Sequence, residues 1–345
     1  MESLTRNPED EHLELLLACL ENETAPNSLC SDEQTLSKTL ELAQHNGVLY
    51  AFVARLDESV TLPAEYRSEW EAERTRIQRL HRTVKALKAA SSAGDIEFIL
   101  IKDCNTVPHS PRDVDIFVRG TDKAEMIECL RAEGMTVEHN GSIETSLTGR
   151  RYLPVDIYTG VVYFDHEFFD ESVLFAATER RTANGMSYPG LDDETEFLLT
   201  LVHGVFGHRR FTLLDFLHLD RLWQSSLSLD RCREITSDHG WEATFEQFLE
   251  LFRGLRRAVY ESEETVSFPV LLARADVMAC IRSLRQRPLD RTEELAITLS
   301  LVIDGLKVRV ENSWLHEPLR QCTPVREALL SVAYLSRRFR GDKYS

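Results

Sequence analysis

The chain has 345 residues and a formal charge of −17, from 57 acids against 40 bases, with hydrophobic and charged fractions of 43% and 28%. That length allows two or three structural units around a sizeable core, and the balance excludes a disordered or fibrous protein. No apolar run approaches the roughly 18 residues that span a bilayer, and the start MESLTRNPEDEHLELLL carries acids where a signal peptide carries bases, so a cytoplasmic protein with no membrane partner is expected.

Net negative charge opposes indiscriminate nucleic-acid binding, so any such contact has to be local. Only seven bases are lysine. An acid-rich, lysine-poor, arginine-tolerant composition suits solubility at high salt, which makes a halophilic source the expectation. Seven cysteines (Cys19, Cys30, Cys104, Cys129, Cys232, Cys280, Cys322) are dispersed without a CxxC pair. They read as reduced thiols, not as a disulfide framework or zinc ribbon.

In chain order, Asn7-Pro8 is a helix opening, and Leu13, Leu16, Leu17 and Leu20 follow on one helical face. Ser31 with Gln34 has the form of a capping box for a second helix ending at Gly47. From Ala64 to about Ala93 there is no proline or glycine, and Trp70, Ile77, Leu80, Val84 and Leu87 recur at helical spacing. This predicts a long amphipathic helix terminated by Gly94. Its other faces carry Arg74, Arg76, Arg79, Arg82, Lys85 and Lys88. They suit contact with phosphate or an acidic partner, or simply a solvated face paired with Glu65, Glu69, Glu71 and Glu73.

The stretch Ile96 to Val118, IEFILIKDCNTVPHSPRDVDIFV, holds two apolar segments around a turn in which Pro108 and Pro111 exclude a long helix. In an extended strand Val114, Ile116 and Val118 point one way while Asp113 and Asp115 point the other. Two close carboxylates repel, and sharing a divalent metal relieves this. Tyr152 to Gly160 repeats the alternation around Asp156. If its strand lies beside the Val114 strand, three carboxylates share one face and can hold two magnesium ions about 3.5–4 Å apart.

Between these strands, Thr121 is a candidate N-cap for a helix over Asp122 to Arg131, with short strands at Thr136 to His139 and Ser142 to Leu147. Turns are expected at Asn184-Gly185 and Pro189-Gly190, then a helix from Asp192–Glu194 through Phe206. His203 and His208 with Asp215 suggest zinc by residue type, but a spacing of five is not the i, i+4 pair of one α-helix face. A structural or positioning role is the expectation. Phe216 to about Arg340 reads as almost wholly helical, with breaks at Gly240, Pro269, Pro288, Pro318 and Pro324.

The order strand, turn, Asp-x-Asp strand, helix and a further strand with one Asp resembles the nucleotidyltransferase superfamily that includes DNA polymerase beta. More closely, the chain resembles its bacterial and archaeal branch of uncharacterised nucleotidyltransferases. The resemblance rests on LLLACL (Leu15 to Leu20), LAQHNGV (Leu42 to Val48), Ile101-Lys102, Arg112-Asp113-Val114-Asp115, Val155-Asp156-Ile157, and His203, His208 and RFTLLD downstream. It implies an α+β fold, a small mixed-sheet core (95–190) flanked by N-terminal (1–94) and C-terminal (191–345) helical regions. It also implies transfer of a nucleoside monophosphate from an NTP to a hydroxyl or phosphate acceptor: RNA, a protein side chain or a small molecule. Asp113, Asp115 and Asp156 would hold Mg2+ or Mn2+, with Asp156 also helping to deprotonate the acceptor. Lys102, Arg112, Arg150 and Arg151 would neutralise phosphate. The Lys-Gly motif of that branch departs here, where Asp103 replaces the glycine. Two other readings stay open: a degenerate, non-catalytic module of the same fold, and a glycosyltransferase using Asp-x-Asp.

The composition predicts that thermal stability rises between 0.1 and 2 M potassium chloride. A melting temperature independent of salt would refute the halophilic expectation.

Overall fold

The computed structural model describes residues 8–22, 32–56, 60–102, 106–163, 166–183, 185–208, 210–225, 227–260 and 270–271. Asn7, Ser31, Asp103, the cysteines Cys30, Cys104, Cys280 and Cys322, and the helical pattern expected after 271 lie outside them. The fold is α+β.

The alternating segments form a five-stranded mixed sheet: β1 (Phe98–Leu100), β2 (Val114–Val118), β3 (Thr136–Asn140), β4 (Glu144–Thr148) and β5 (Val155–Tyr158), in spatial order β1-β2-β5-β4-β3. β2 and β5 run parallel; the other pairs are antiparallel. Each face of the sheet meets a different core. On one, Val114, Ile116, Val118, Val155 and Ile157 pack with Ile77, Leu80, Val84 and Leu87 of the long helix and with Met126 and Leu130 of a shorter one. On the other, Ile99, Ile101 and Phe117 join an aromatic core built around Phe168, Phe197, Phe206, Trp241 and Phe248.

The helices are α1 (Pro8–Asn22), α2 (Glu33–His45), α3 (Leu49–Val53), α4 (Ala64–Gly94), α5 (Lys123–Ala132), α6 (Glu171–Ala176), α7 (Asp193–Val202), α8 (Leu213–Gln224), α9 (Leu229–Asp238) and α10 (Glu242–Tyr260). α4 is the long amphipathic helix, and α1 to α3 share the aromatic core with α7 to α10. Asn46 ties these two groups together, its Oδ1 accepting from the Leu213 N–H at the start of α8 (3.2 Å). The Trp241 indole N–H donates to the Phe168 carbonyl (2.9 Å), so even this large buried ring keeps a polar partner.

Several expected boundaries move by one residue. Asp32, not Ser31, caps α2, its carboxylate accepting from the Gln34 and Thr35 amides. Asp122, not Thr121, stands at the N-cap of α5, and the Thr121 hydroxyl donates to its carboxylate. Gly94 is the last residue of α4, and it is Asp95 (φ 51°) that takes the left-handed conformation. Aspartate tolerates that region better than most residues do. β8 (Thr178–Ala183) pairs antiparallel with β9 (Met186–Leu191), and Gly185 between them has φ 73°; Asn184 of the expected turn lies outside the described residues. Pro189-Gly190 is no turn: both residues lie within β9, opposite Arg180 and Glu179. A two-stranded ribbon is all edge, so proline's missing N–H disrupts nothing there. The shorter strands β6 (Val162–Tyr163) and β7 (His166–Glu167) form a further hairpin. Arg210–Phe211 (β10) pairs with Val270–Leu271 (β11), a short strand directly after the break expected at Pro269 in a region read as almost wholly helical.

α4 also holds the loops that lead into β2 and β5. The Arg76 guanidinium donates to Ser110 Oγ (2.8 Å). The buried Thr83 hydroxyl donates to the Arg79 carbonyl and accepts from the Leu153 N–H, both at 2.9 Å. Thr83→Val leaves the Leu153 amide buried without a partner and should cost about 1–3 kcal/mol in denaturant melts. An unchanged midpoint would show that the Thr83–Leu153 clip does not hold the β5 loop.

Candidate active site

Parallel pairing aligns Val114 with Val155, Asp115 with Asp156, Ile116 with Ile157 and Phe117 with Tyr158. In-register neighbours on adjacent strands point to the same face about 4.8 Å apart, so Asp115 and Asp156 stand side by side. Asp113, just outside the N-terminal end of β2, is exposed at the mouth of the same face. β4 adds Ser146 opposite Asp156 and Glu144 opposite Tyr158. The structure therefore brings the three aspartates to one end of one face.

Lys102 lies at the end of β1 with φ 64°, a conformation rare for a long side chain. Its ammonium is 3.4 Å from Asp115 Oδ2 and 4.2 Å from the centre of the Tyr158 ring. The loop beyond it is anchored from α8: the Thr106 N–H donates to His218 Nδ1 (3.1 Å), and the Arg221 guanidinium donates to the Thr106 carbonyl (2.6 Å).

Charge on this face is poorly balanced. Burial pushes the Asp115 carboxyl up to about 6; Lys102 opposes the rise, and Asp113 and Asp156 add to it. Asp113 is raised too, by desolvation and by Asp156, although its exposure lets water screen that effect. Tyr158 and Tyr163 are held in their neutral forms by burial and by neighbouring acids, Asp115 and Glu144 acting on both.

α7 does not simply continue through Phe206. From His203 to His208 it widens into a π-helical turn. That geometry pairs residues five apart, and the two imidazoles meet with Nε2 atoms 2.8 Å apart. The spacing that argues against a shared α-helix face is the one a π-turn brings together. The Tyr163 hydroxyl lies 3.0 Å from His203 Nδ1. Burial, the Lys102 charge and His208 keep His203 far below its ordinary pKa, hence neutral. The tautomer sets the direction of both contacts: if the Tyr163 O–H donates to Nδ1, His203 Nε2–H donates to His208, and in the other tautomer both directions reverse. Asp215 stands apart from this pair, closing a capping box with Thr212 at the start of α8. Among the described residues no group of three His, Cys, Asp or Glu is arranged as a ready-made metal cage.

No protein-family model and no curated protein matches the chain. Among solved structures, the solution structure of the antibiotic-resistance factor ANT(2'')-Ia is similar at 10% identity and a TM-score of 0.37, over 54% of this chain and 98% of that one. The crystal structure of the lincosamide antibiotic adenylyltransferase LnuA, lincomycin-bound, is similar at 15% identity and a TM-score of 0.30, over 40% of this chain and 91% of that one. At such scores neither likeness decides a fold or a substrate, and the residues themselves have to carry the reading.

The remaining expected phosphate ligands sit elsewhere. Arg112, Arg150 and Arg151 are exposed, and among the described residues no ion pair joins any of them to the three aspartates. The β4–β5 turn that carries Arg150 and Arg151 leans on α4 through Leu153. Conversely, Glu144, Tyr158 and Tyr163 border the site without being foreseen, because only strand register places them there. The described cysteines, Cys19, Cys129 and Cys232, form no disulfide among the described residues, where also no helix is long and apolar enough to cross a membrane.

Because the folded-state pKa of Asp115 lies above that of an unfolded aspartate, about 3.9, the folded chain binds more protons between the two values. Stability therefore falls as pH rises through about 6, and the cost is relieved below it. Asp156→Asn removes one repelling charge. In chelator-treated protein it should stabilise by roughly 1 kcal/mol at pH 7.5, with the gain fading as pH drops toward 4. A loss of stability at pH 7.5, or a gain that ignores pH, would contradict this electrostatic picture.

Proposed function

We propose that the chain is a metal-dependent nucleotidyltransferase that moves a nucleoside monophosphate from an NTP to a hydroxyl acceptor. The observation that carries this reading is the in-register pairing of Asp115 with Asp156 on parallel strands, with Asp113 two residues before Asp115 at the mouth of that face.

The donor set fits a hard divalent cation. Asp113, Asp115 and Asp156 act on one another's charge with Lys102 beside Asp115, whose carboxyl is raised first by burial and further by the other two carboxylates. Oxygen-only donors suit Mg2+ or Mn2+. Asp113, Asp115 and Asp156 would hold the ion, which when bound supplies Lewis-acid stabilisation of the charge developing on the transferring phosphoryl group.

The chain's own residues supply the rest. Lys102, already resting against Asp115, can exchange that carboxylate for a triphosphate oxygen and neutralise it. Asp156, half-buried beside Asp115, takes the proton of the attacking hydroxyl. The acceptor oxygen bonds to the α-phosphorus while the bond from that phosphorus to the bridging oxygen breaks, and pyrophosphate leaves with the electron pair. Tyr158, Tyr163 and neutral His203 wall the face with hydrogen-bonding groups that add no charge.

One observation favours a second reading. The Lys102 ammonium already occupies Asp115, as a built-in cation would in a non-catalytic module that binds a ligand but transfers nothing.

Calorimetric titration separates the two. Each NTP, with Mg2+ or Mn2+, is titrated into wild type, Asp113→Ala/Asp115→Ala and Asp156→Ala. The transferase reading expects metal-dependent binding that the double variant abolishes. It also expects Asp156→Ala to keep nucleotide affinity while turnover falls about 10²–10⁴-fold. Binding without transfer by wild type would favour the non-catalytic module, and transfer unaffected by Asp156→Ala would favour sugar transfer from a nucleotide-sugar. No binding by folded wild type would contradict the transferase reading.

A further inference from the structure

Two loops lead to the aspartate face, and α4 clips both. Arg76 holds the loop at Ser110, and Thr83 holds the other at Leu153. The loops also touch each other, the Val114 N–H donating to the Pro154 carbonyl at 2.8 Å. Arg112 lies on the first loop, Arg150 and Arg151 on the turn opening the second, and Arg79 and Arg82 on the turn of α4 that carries Thr83. All five side chains are exposed, and among the described residues none is in an ion pair. Arg74 and Arg76, one turn earlier, are by contrast paired with Glu71 and Glu73.

On a chain of net charge −17, five exposed guanidiniums fall along the two loops and the α4 turn that clips the second of them, with Asp113 among them. Glu133, preceding Gly134 beneath the Gly149 turn, is an acid at their border. The surface draws on two loops and a helical turn. It also lacks the apolar centre of a protein interface: the exposed large hydrophobics among the described residues are Val137, Ile143 and Tyr260. A phosphate backbone needs cations alone.

We propose that Arg79, Arg82, Arg112, Arg150 and Arg151 form a landing surface for a nucleic-acid strand, which delivers a terminal hydroxyl to the aspartates. The delivery step rests on the transferase reading given above; the binding does not. Arg112, Arg150 and Arg151 then serve the acceptor and not the triphosphate.

The test is fluorescence anisotropy with a labelled 20-nucleotide single-stranded RNA and the full chain, without NTP or metal, from 0.1 to 0.5 M potassium chloride, with folding checked by circular dichroism at each salt. The expected Kd is about 10⁻⁶–10⁻⁴ M, weakening steeply with salt, at roughly −0.7 in log–log slope per phosphate engaged. Arg79→Glu/Arg82→Glu and Arg150→Glu/Arg151→Glu should each weaken binding at least tenfold and flatten that slope. Arg231→Glu/Arg253→Glu, on α9 and α10, should stay within twofold. If a reversal variant unfolds, Arg150→Gln/Arg151→Gln should still lose about threefold.

No saturable binding by folded wild type, reversals without effect, or equal affinity for polyglutamate would each overturn the proposal, the last by pointing to an acidic protein. The nucleotide titration is independent. NTP binding without RNA binding sinks the landing surface alone, whereas RNA binding lost on reversal, in protein that never binds NTP, supports the surface and sinks the transferase reading.

Discussion

Parallel pairing of β2 with β5 is the constraint on which the rest depends. A parallel pair in this register forces Asp115 and Asp156 together on one face and sends Val114, Ile116, Val155 and Ile157 to the other. The apolar face is then closed by α4 and α5, and that burial fixes the register, because a slip of one residue would carry the aspartates into the core and the valines out of it. Stability and site are therefore two faces of one pairing. The hydrophobic side holds in place a cluster of like charges that would otherwise separate.

What those charges cost locally is visible in Asp115, whose carboxyl is pushed up to about 6 because burial and two further carboxylates outweigh one lysine. Lys102 meets Asp115 from a left-handed backbone position shortly after β1. Strained residues of this kind collect at functional sites, where the surrounding structure holds them. The π-turn at His203 to His208 is a second local irregularity on the same side, and it presents a neutral imidazole pair instead of more charge. Binding groups and proton-handling groups thus reach one face from the sheet and from the helical layer.

Much of this was legible in the residues and some was not. Alternation around Val114 and Val155 shows which side chains share a face, and the absence of proline and glycine over Ala64 to Ala93 marks α4. Both are local patterns, and local patterns survive folding when they agree with burial. The partners of those elements are long-range facts. Glu144 enters through the β4–β5 register, and the loop after Arg150 and Arg151 is tied to α4 because Thr83 accepts from Leu153. No spacing in the chain encodes either contact. His203 and His208 mislead for a different reason: a five-residue spacing is read with α-helical geometry, and the helix there is not α. The displaced caps at Asp32, Asp95 and Asp122 reflect competition among neighbouring polar residues, which only the finished backbone resolves.

The measurement that bears most directly on the central claim is anomalous diffraction at the manganese edge, from crystals grown with Mn2+ and a non-hydrolysable NTP analogue. The account predicts a manganese peak among the carboxylates of Asp113, Asp115 and Asp156, with Lys102 withdrawn from Asp115 toward phosphate. An ordered site without manganese, in which Lys102 still pairs with Asp115, would contradict it and leave the paired aspartates as a structural feature of the sheet.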